Sequence, residues 1–170
     1  MPEVAGYPSP VLRIRRDLLD GVVAHARRDH PDEACGVIAG PAGSDSPERL
    51  VPMLNAARSP TFYEFASDEL LGLYREMDDR DEEPVVVYHS HTATEAAPSR
   101  TDVTLASEPG AHYLLVSTRE PDVEEVRSFR IVDGSVTEEP VELVEPAPSE
   151  PAPSKPAASE PALSEPAPAG

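Results

Sequence analysis

The segment from residue 89 to 102, HSHTATEAAPSRTD, places two histidines, a serine and an aspartate in a pattern that suits metal-dependent hydrolysis. On a β-strand, residues i and i+2 point to the same face, so His89 and His91 would present their imidazoles side by side. Asp102, at the start of a following helix, could supply a carboxylate as the third ligand of a zinc ion. Three protein ligands leave a fourth position open for water, which is the arrangement of catalytic zinc sites.

Each of these residues also has a simpler interpretation. A His-x-His pair is typical of two surface histidines, and taken alone it favours that interpretation. Ser99 and Asp102 fit a helix start in which the serine caps the helix and the aspartate lies in its first turn. This last interpretation is compatible with catalysis, because a helix N-terminus can hold Asp102 rigidly and leave the Ser99 hydroxyl facing the open position.

A hydrolase site also needs a proton acceptor, and Glu33 is the best candidate. It begins a core-like strand of small residues, ACGVIAG, whereas Glu95 lies in a turn. Glu33 would take a proton from the attacking water and give it to the leaving amine, as a general base and then a general acid. A surface carboxylate at a strand end is the alternative, and spacing alone does not separate the two.

The elements that must position these residues indicate a mixed α/β or α+β domain, with one sheet covered by two or three helices. An amphipathic helix is predicted over residues 17–30 with Asp17 as its N-cap, and a second after Ser67, also a good N-cap. The second helix has a predicted core stripe of Leu70, Leu73, Tyr74 and Met77. Residues 84–91 form a buried strand that ends at the histidines. Further strands are predicted at 11–14, 33–40, 50–54, 61–65, 112–117, 126–132 and 135–143, and a short helix at 99–107.

Length and composition predict one domain with a long polar appendage. The 170 residues suffice for one core, which we place at residues 10–144 after a flexible N-terminus, residues 1–9. Residues 145–170 repeat Pro, Ala, Ser and Glu and cannot build a core. Their composition therefore predicts a disordered tail. The formal net charge of -18 argues against nucleic acid or an anionic membrane as a partner.

Cys35 is the single cysteine, so no internal disulfide can form. With no predicted export signal or membrane span, the sequence indicates a cytoplasmic protein. Because Cys35 shares the strand face of Glu33, it is a candidate thiol neighbour of the metal. An inert, buried small side chain is the alternative.

The order of these residues resembles the pattern of the JAMM (MPN+) metalloprotease family. In that pattern an upstream glutamate, Glu33, precedes His89-Ser90-His91, then seven residues, Ser99, two residues and Asp102. The resemblance implies a layered fold like that of cytidine deaminases and one zinc ion per chain, bound by both histidines and the aspartate. It also implies that Glu33 activates the water and that Ser99 stabilises the oxyanion. Thr92 departs from the family, where proline is common, and we expect it to loosen the turn.

Residues 10 to 145 are similar to short actinobacterial members of this family that act on a ubiquitin-like sulfur carrier protein. The runs VAHARRDHPDEACGV, RSPTFY, YHSHTATEAAPSRTDV and SFRIVDG carry this similarity. It implies hydrolysis of the amide bond between the C-terminal Gly-Gly of the carrier and an attached cysteine, which releases L-cysteine for cysteine biosynthesis. Asn55, Ser59 and Phe62 are candidates for the groove that binds the carrier tail, although core packing explains the aromatic residues equally well.

Three alternatives remain beside this function. The same chemistry could trim a carrier precursor or cleave another ubiquitin-like conjugate. A non-catalytic scaffold of the same fold is a second class, but the complete ligand set argues against it. A zinc nucleoside deaminase is disfavoured, because it requires a P-C-x-x-C pair and this chain has one cysteine.

Overall fold

The computed structural model describes residues 10–145, and its elements confirm the predicted mixed α/β class. The predicted flexible N-terminus, residues 1–9, and the predicted disordered tail beyond residue 145 lie outside the described residues. Along the chain the elements are β1 (Leu12–Arg15), α1 (Arg16–Asp29), β2 (Cys35–Pro41), β3 (Arg49–Met53), α2 (Ser67–Asp79), β4 (Glu82–His91), α3 (Arg100–Leu105), β5 (His112–Ser117), β6 (Glu125–Val132), β7 (Ser135–Glu139) and β8 (Val141–Val144).

A six-stranded mixed sheet in the order β3-β2-β4-β5-β6-β7 forms the centre of the molecule. Strand β4 lies between β2, which is antiparallel to it, and β5, which is parallel. On one face, Val86 and Tyr88 pack in a core cluster with the apolar side of α1. On the opposite face, one core cluster contains Val87. Another contains Leu73 and Met77 of helix α2. Because β4 is buried on both faces, its apolar run is continuous rather than alternating.

The prediction of a single sheet is wrong, because β1 and β8 form a separate two-stranded parallel sheet. Residues 135–143, predicted as one strand, are divided at Pro140 into β7 and β8. Proline has no N–H to donate to a strand neighbour, so pairing with β6 stops there and the chain continues towards β1. The backbone of Pro140 still contributes, since its carbonyl accepts the N–H of Leu12 at 3.0 Å.

The strand predicted at residues 61–65 does not form, and a single bridge between Asn55 and Phe65 is all that remains of it. The Asn55 side chain takes the place of a partner strand. Its Oδ1 accepts the N–H groups of Ala57 and Glu64, and its Nδ2 donates to the carbonyl of Phe62. Such side-chain hydrogen bonds compete with regular pairing and fold the segment into a loop.

The N-caps predicted for α1 and α2 both differ from those in the structure. Helix α1 has Arg15 at its N-cap without a side-chain cap, and Asp17 lies inside the first turn. The Asp17 carboxylate accepts hydrogen bonds from the Arg15 guanidinium at 3.0 and 3.2 Å. Ser67 is the first residue of α2, whose N-cap is Ala66. In the predicted stripe of α2, Tyr74 is 37% exposed, so it lies at the edge of the core rather than inside it.

Within residues 10–145, no helix is both long enough and apolar enough to span a membrane.

A buried ion-pair cluster outside the predicted site joins β5, β7 and the loop after β2. His112 contacts Glu139 through Nδ1, and its Nε2 lies 2.7 Å from Asp45 Oδ1. Burial alone would lower the pKa of His112, but hydrogen bonds to these two carboxylates raise it above 6.5. A raised folded-state pKa means that the stabilisation is fully present below the unfolded pKa and is lost as pH rises through the folded pKa.

We therefore expect His112→Gln to lower the free energy of unfolding by about 3 kcal/mol at mildly acidic pH, because it leaves Glu139 buried without its cation. The difference from the native protein should narrow as pH rises through the folded-state pKa of His112. Urea denaturation of both proteins across this range measures the effect. An equal loss at every pH would show that His112 contributes no charge-dependent stability.

Candidate active site

The C-terminal end of β4 brings two imidazoles together with a carboxylate. His89 Nε2 and His91 Nε2 lie 3.3 Å apart, and Asp102 Oδ2 is 3.2 Å from the first and 3.1 Å from the second. The ligand atoms of these three residues all lie within 4.8 Å of one another. Both histidines are buried and the Asp102 side chain is 11% exposed. One small cation could therefore be bound by all three residues at once.

Asp102 is held by the start of helix α3, and the predicted capping box is confirmed. The Ser99 hydroxyl oxygen accepts the N–H of Asp102 at 3.1 Å, while Asp102 Oδ2 accepts the N–H of Ser99 at 2.7 Å. The cap uses a lone pair of the serine oxygen, so its O–H stays available as a donor. Ser99 is exposed and can present that donor to a bound substrate.

His91 is oriented by a hydrogen bond on the side away from Asp102. Its Nδ1 lies 2.8 Å from the carbonyl oxygen of Glu95. Because a carbonyl only accepts, Nδ1 carries a proton, and Nε2 is the ring nitrogen that faces Asp102 and would bind a metal. The Glu95 carboxylate points elsewhere, at 3.5 Å from Arg127 on the surface.

Glu33 lies two residues before the start of β2 and is buried, with 5% of its surface exposed. Its backbone is fixed on both sides: its N–H donates to the Ser59 carbonyl at 2.9 Å, and its carbonyl accepts from Asn55 Nδ2 at 3.0 Å. Burial raises the pKa of Glu33 to about 7, with His91 opposing the rise and Asp102 adding to it. A carboxylate with a pKa near neutrality can both accept and return a proton under physiological conditions.

The charges of Asp102 and His89 suit metal binding. Burial alone would raise the pKa of Asp102, but hydrogen bonds from His89 and His91 lower it far below its usual range. Burial lowers the pKa of His89, so its imidazole is neutral near pH 7. Ionised carboxylate and neutral imidazole are the forms in which these side chains coordinate a metal.

The other residues suggested by the sequence have mainly backbone or packing contacts. Cys35 is fully buried beside His89 in the strand register, and burial raises the pKa of its thiol to about 12. It therefore packs as a neutral, small apolar side chain. The side-chain amide of Asn55 donates hydrogen bonds to the backbone carbonyls of Glu33 and of Phe62 in its own loop. Ser59 supports Glu33, and Phe62 lines an apolar cavity of about 340 Å³.

Two contacts at the site were not predicted from the sequence. The ring of Tyr63 stacks on His89, with centroids 4.5 Å apart and planes at 25°. Thr92, expected to loosen the turn, instead donates its hydroxyl to the Pro60 carbonyl at 2.9 Å. The aromatic residues of the RSPTFY run were visible as a group, but nothing in their spacing identifies which one reaches His89.

Comparison with known proteins places this geometry in a family. Residues 15–132 match the model of the prokaryotic homologues of the JAB domain. The chain is 70% identical over 135 residues to a CysO-cysteine peptidase of Mycobacterium tuberculosis, covering 79% of this chain and 92% of that protein. It is 33% identical over 111 residues to a desampylase of Haloferax volcanii, covering 62% of this chain and 80% of that one.

Among solved structures, the chain resembles protein DSY2949 of Desulfitobacterium hafniense, with a TM-score of 0.70 and 33% identity. The alignment covers 80% of this chain and 94% of that protein. The described fold is therefore shared over nearly the whole length of an independently determined structure.

Proposed function

The chain belongs to the family of prokaryotic homologues of the JAB domain, and from this membership we propose that it is a zinc-dependent peptidase. Its substrate is a ubiquitin-like sulfur carrier protein whose C-terminal Gly-Gly is joined to cysteine, and its product is L-cysteine. The observation that carries the proposal is the convergence of His89, His91 and Asp102 with the buried carboxylate of Glu33 nearby. The extensive identity with the mycobacterial CysO-cysteine peptidase supports the substrate.

The donor set fits one zinc ion. His89, His91 and Asp102 supply two imidazole nitrogens and a carboxylate oxygen, and the three atoms already converge. Zinc accepts these ligands, and three of them leave a coordination position for chemistry. When bound, the metal would polarise the scissile carbonyl and lower the pKa of a water molecule.

In this mechanism Glu33 transfers protons, and Ser99 stabilises the negative charge of the intermediate. Glu33 takes a proton from the attacking water, and its near-neutral pKa lets it pass that proton to the leaving amine of cysteine. The Ser99 O–H, free of the helix cap, donates to the oxygen that becomes negative in the tetrahedral intermediate. The amide bond breaks, and the carrier is left with a free glycine carboxylate.

Ser99→Ala is expected to lower kcat by about 10²- to 10³-fold, the usual cost of losing one oxyanion donor. The same change removes the cap from the Asp102 N–H and should cost about 1 kcal/mol of stability. Zinc content should stay near one per chain, because no ligand is lost. Ser99→Thr, which keeps a hydroxyl, is the matched control and should retain most turnover. Native kcat in a folded Ser99→Ala protein would exclude the oxyanion role.

The direct test is mass spectrometry of a sulfur carrier that bears C-terminal Gly-Gly-Cys. The carrier is incubated with zinc-loaded enzyme and, in parallel, with enzyme stripped by a chelator. We expect the carrier to lose one cysteine residue only when the metal is present. An unchanged carrier in the presence of verified zinc would contradict the proposed substrate.

A second candidate keeps the chemistry and changes the substrate, and the similarity to a desampylase supports it. The enzyme would then cleave another ubiquitin-like conjugate or trim a carrier precursor. The mass of the released fragment distinguishes these cases, because only the first proposal releases a single cysteine. A non-catalytic scaffold would release no fragment from any of these substrates.

We also propose that the protein acts in the cytoplasm. Its single cysteine is a buried free thiol, which is typical of proteins in reducing compartments.

A further inference from the structure

The two histidines of the site are oriented by different means. His91 donates its Nδ1 proton to the Glu95 carbonyl at 2.8 Å. His89 Nδ1 is buried, and among residues 10–145 it has no hydrogen-bond partner. Metal-binding histidines usually donate their second ring N–H to a carbonyl or carboxylate, which fixes the plane of the ring. On its Nδ1 side, the His89 ring must therefore be held by packing.

Tyr63 covers one face of the His89 ring. The two rings are nearly parallel, at 25°, with centroids 4.5 Å apart. Tyr63 is itself held by Phe65, whose ring meets it edge to face at 5.5 Å and 75°. Both aromatics pack against the buried cluster that contains Cys35 and Met77. His89 therefore lies against a surface that cannot rotate freely.

The loop that carries Tyr63 is tied to the backbone of Glu33 and to Thr92. Asn55 Nδ2 bridges the carbonyls of Glu33 and Phe62, at 3.0 and 2.9 Å. The hydroxyl of Thr92, next to His91 in the chain, donates to the Pro60 carbonyl at 2.9 Å. These contacts fix the backbone before Tyr63, and the Glu64 N–H, which donates to Asn55 Oδ1 at 3.1 Å, fixes it after Tyr63.

We propose that Tyr63 is the positioning residue for His89. Its ring face keeps the imidazole in the plane that directs Nε2 towards His91 and Asp102, and so replaces the hydrogen bond that Nδ1 lacks. The ring carries this role, not the hydroxyl group. The inference rests on the proposed metal site, but it concerns the shape of the site before any substrate binds.

The test compares Tyr63→Leu, which is apolar but has no ring, with Tyr63→Phe, which keeps the ring. Tyr74→Leu is the matched control, because Tyr74 lines the same cavity as Tyr63 and belongs to helix α2. Zinc affinity is measured by competition with a chromophoric chelator, with no carrier protein present. The visible spectrum of the cobalt-substituted protein reports ligand geometry.

We expect Tyr63→Leu to weaken zinc binding by about 10- to 100-fold, the usual effect of losing the support of a ligand, and to alter the cobalt spectrum. Tyr63→Phe and Tyr74→Leu should match the native protein in both measurements. A folded Tyr63→Leu protein with native affinity and spectrum would overturn the inference. So would a Tyr63→Phe protein that loses as much affinity as Tyr63→Leu, since the hydroxyl would then be responsible.

The test also has a replacement variant and one further measurement. If Tyr63→Leu fails to fold by circular dichroism, Tyr63→Met is used, because the flexible methionine side chain fills irregular space. In the metal-free protein, NMR signals of the His89 ring should broaden in the ringless variant and stay sharp in Tyr63→Phe. Failure of the native protein to bind zinc would contradict the proposed function, whereas unchanged His89 signals would contradict the role of Tyr63.

Discussion

Glu33→Gln is expected to bind zinc as tightly as the native protein and to lose about 10²- to 10⁴-fold in kcat, the contribution of a positioned general base. Glutamine has nearly the same shape as glutamate and cannot accept a proton at neutral pH. The backbone contacts of Glu33 with Ser59 and Asn55 are unaffected by the change, so the local structure should persist. Zinc content, by plasma emission spectrometry, and kcat, from cysteine release, measure the two effects separately.

Glu95→Gln is the matched control, because Glu95 was the other glutamate considered as the base. Its carboxylate is exposed and faces Arg127, and the substitution keeps the carbonyl that orients His91. Turnover in this variant should stay near the native value. Full activity in Glu33→Gln would remove Glu33 from the mechanism, whereas a large loss in Glu95→Gln would show that the Glu95 carboxylate also contributes.

The strand that carries the histidines is the element best predicted from sequence. Val85 to Tyr88 form a continuous apolar run, and a strand buried on both faces requires such a run. Alternation along the strand then places His89 and His91 on one face, as the structure shows. The capping box of Ser99 and Asp102 was equally predictable, because both its hydrogen bonds join residues three positions apart.

The contact between the end of β4 and the start of α3 was harder to predict from the sequence. Spacing alone left His89 and His91 as possible surface residues and offered Asp102 and Glu33 only as candidate partners, and the family pattern then joined all four. In the structure this contact depends on helix α3 lying beside the end of β4. Packing of Val103 and Ala106 against the cluster of Val87 positions this helix, and such contacts are not encoded in any local motif.

The loop from residue 55 to 65 shows why prediction failed elsewhere. Its aromatic, β-favouring residues predict a strand, but a partner strand is replaced by the side chain of Asn55. The contacts that matter to the site join this loop to Glu33, His89 and Thr92, which are distant along the chain. A similar non-local pairing, between the first and last described strands, produced the second sheet.

Asp102→Ala is expected to abolish stoichiometric zinc binding and reduce cysteine release to background. It removes one of three ligands and leaves two imidazole nitrogens 3.3 Å apart without the carboxylate that accepts from both. The loss of zinc affinity should exceed the roughly 100-fold upper limit typical of residues that only support a ligand. Zinc is counted after gel filtration, and activity is measured with and without added metal.

Asp102 also belongs to the capping box, so the effect of ligation must be separated from that of helix capping. Ser99→Ala removes the Ser99 side chain from the capping box and leaves all three ligands in place, which makes it the control for loss of the cap. If Asp102 acts through the metal, Asp102→Ala loses zinc while Ser99→Ala retains it, although both weaken the start of α3. Equal loss of zinc in the two variants would assign the effect to helix capping. An Asp102→Ala protein that kept one zinc per chain would show that the metal is bound by other residues.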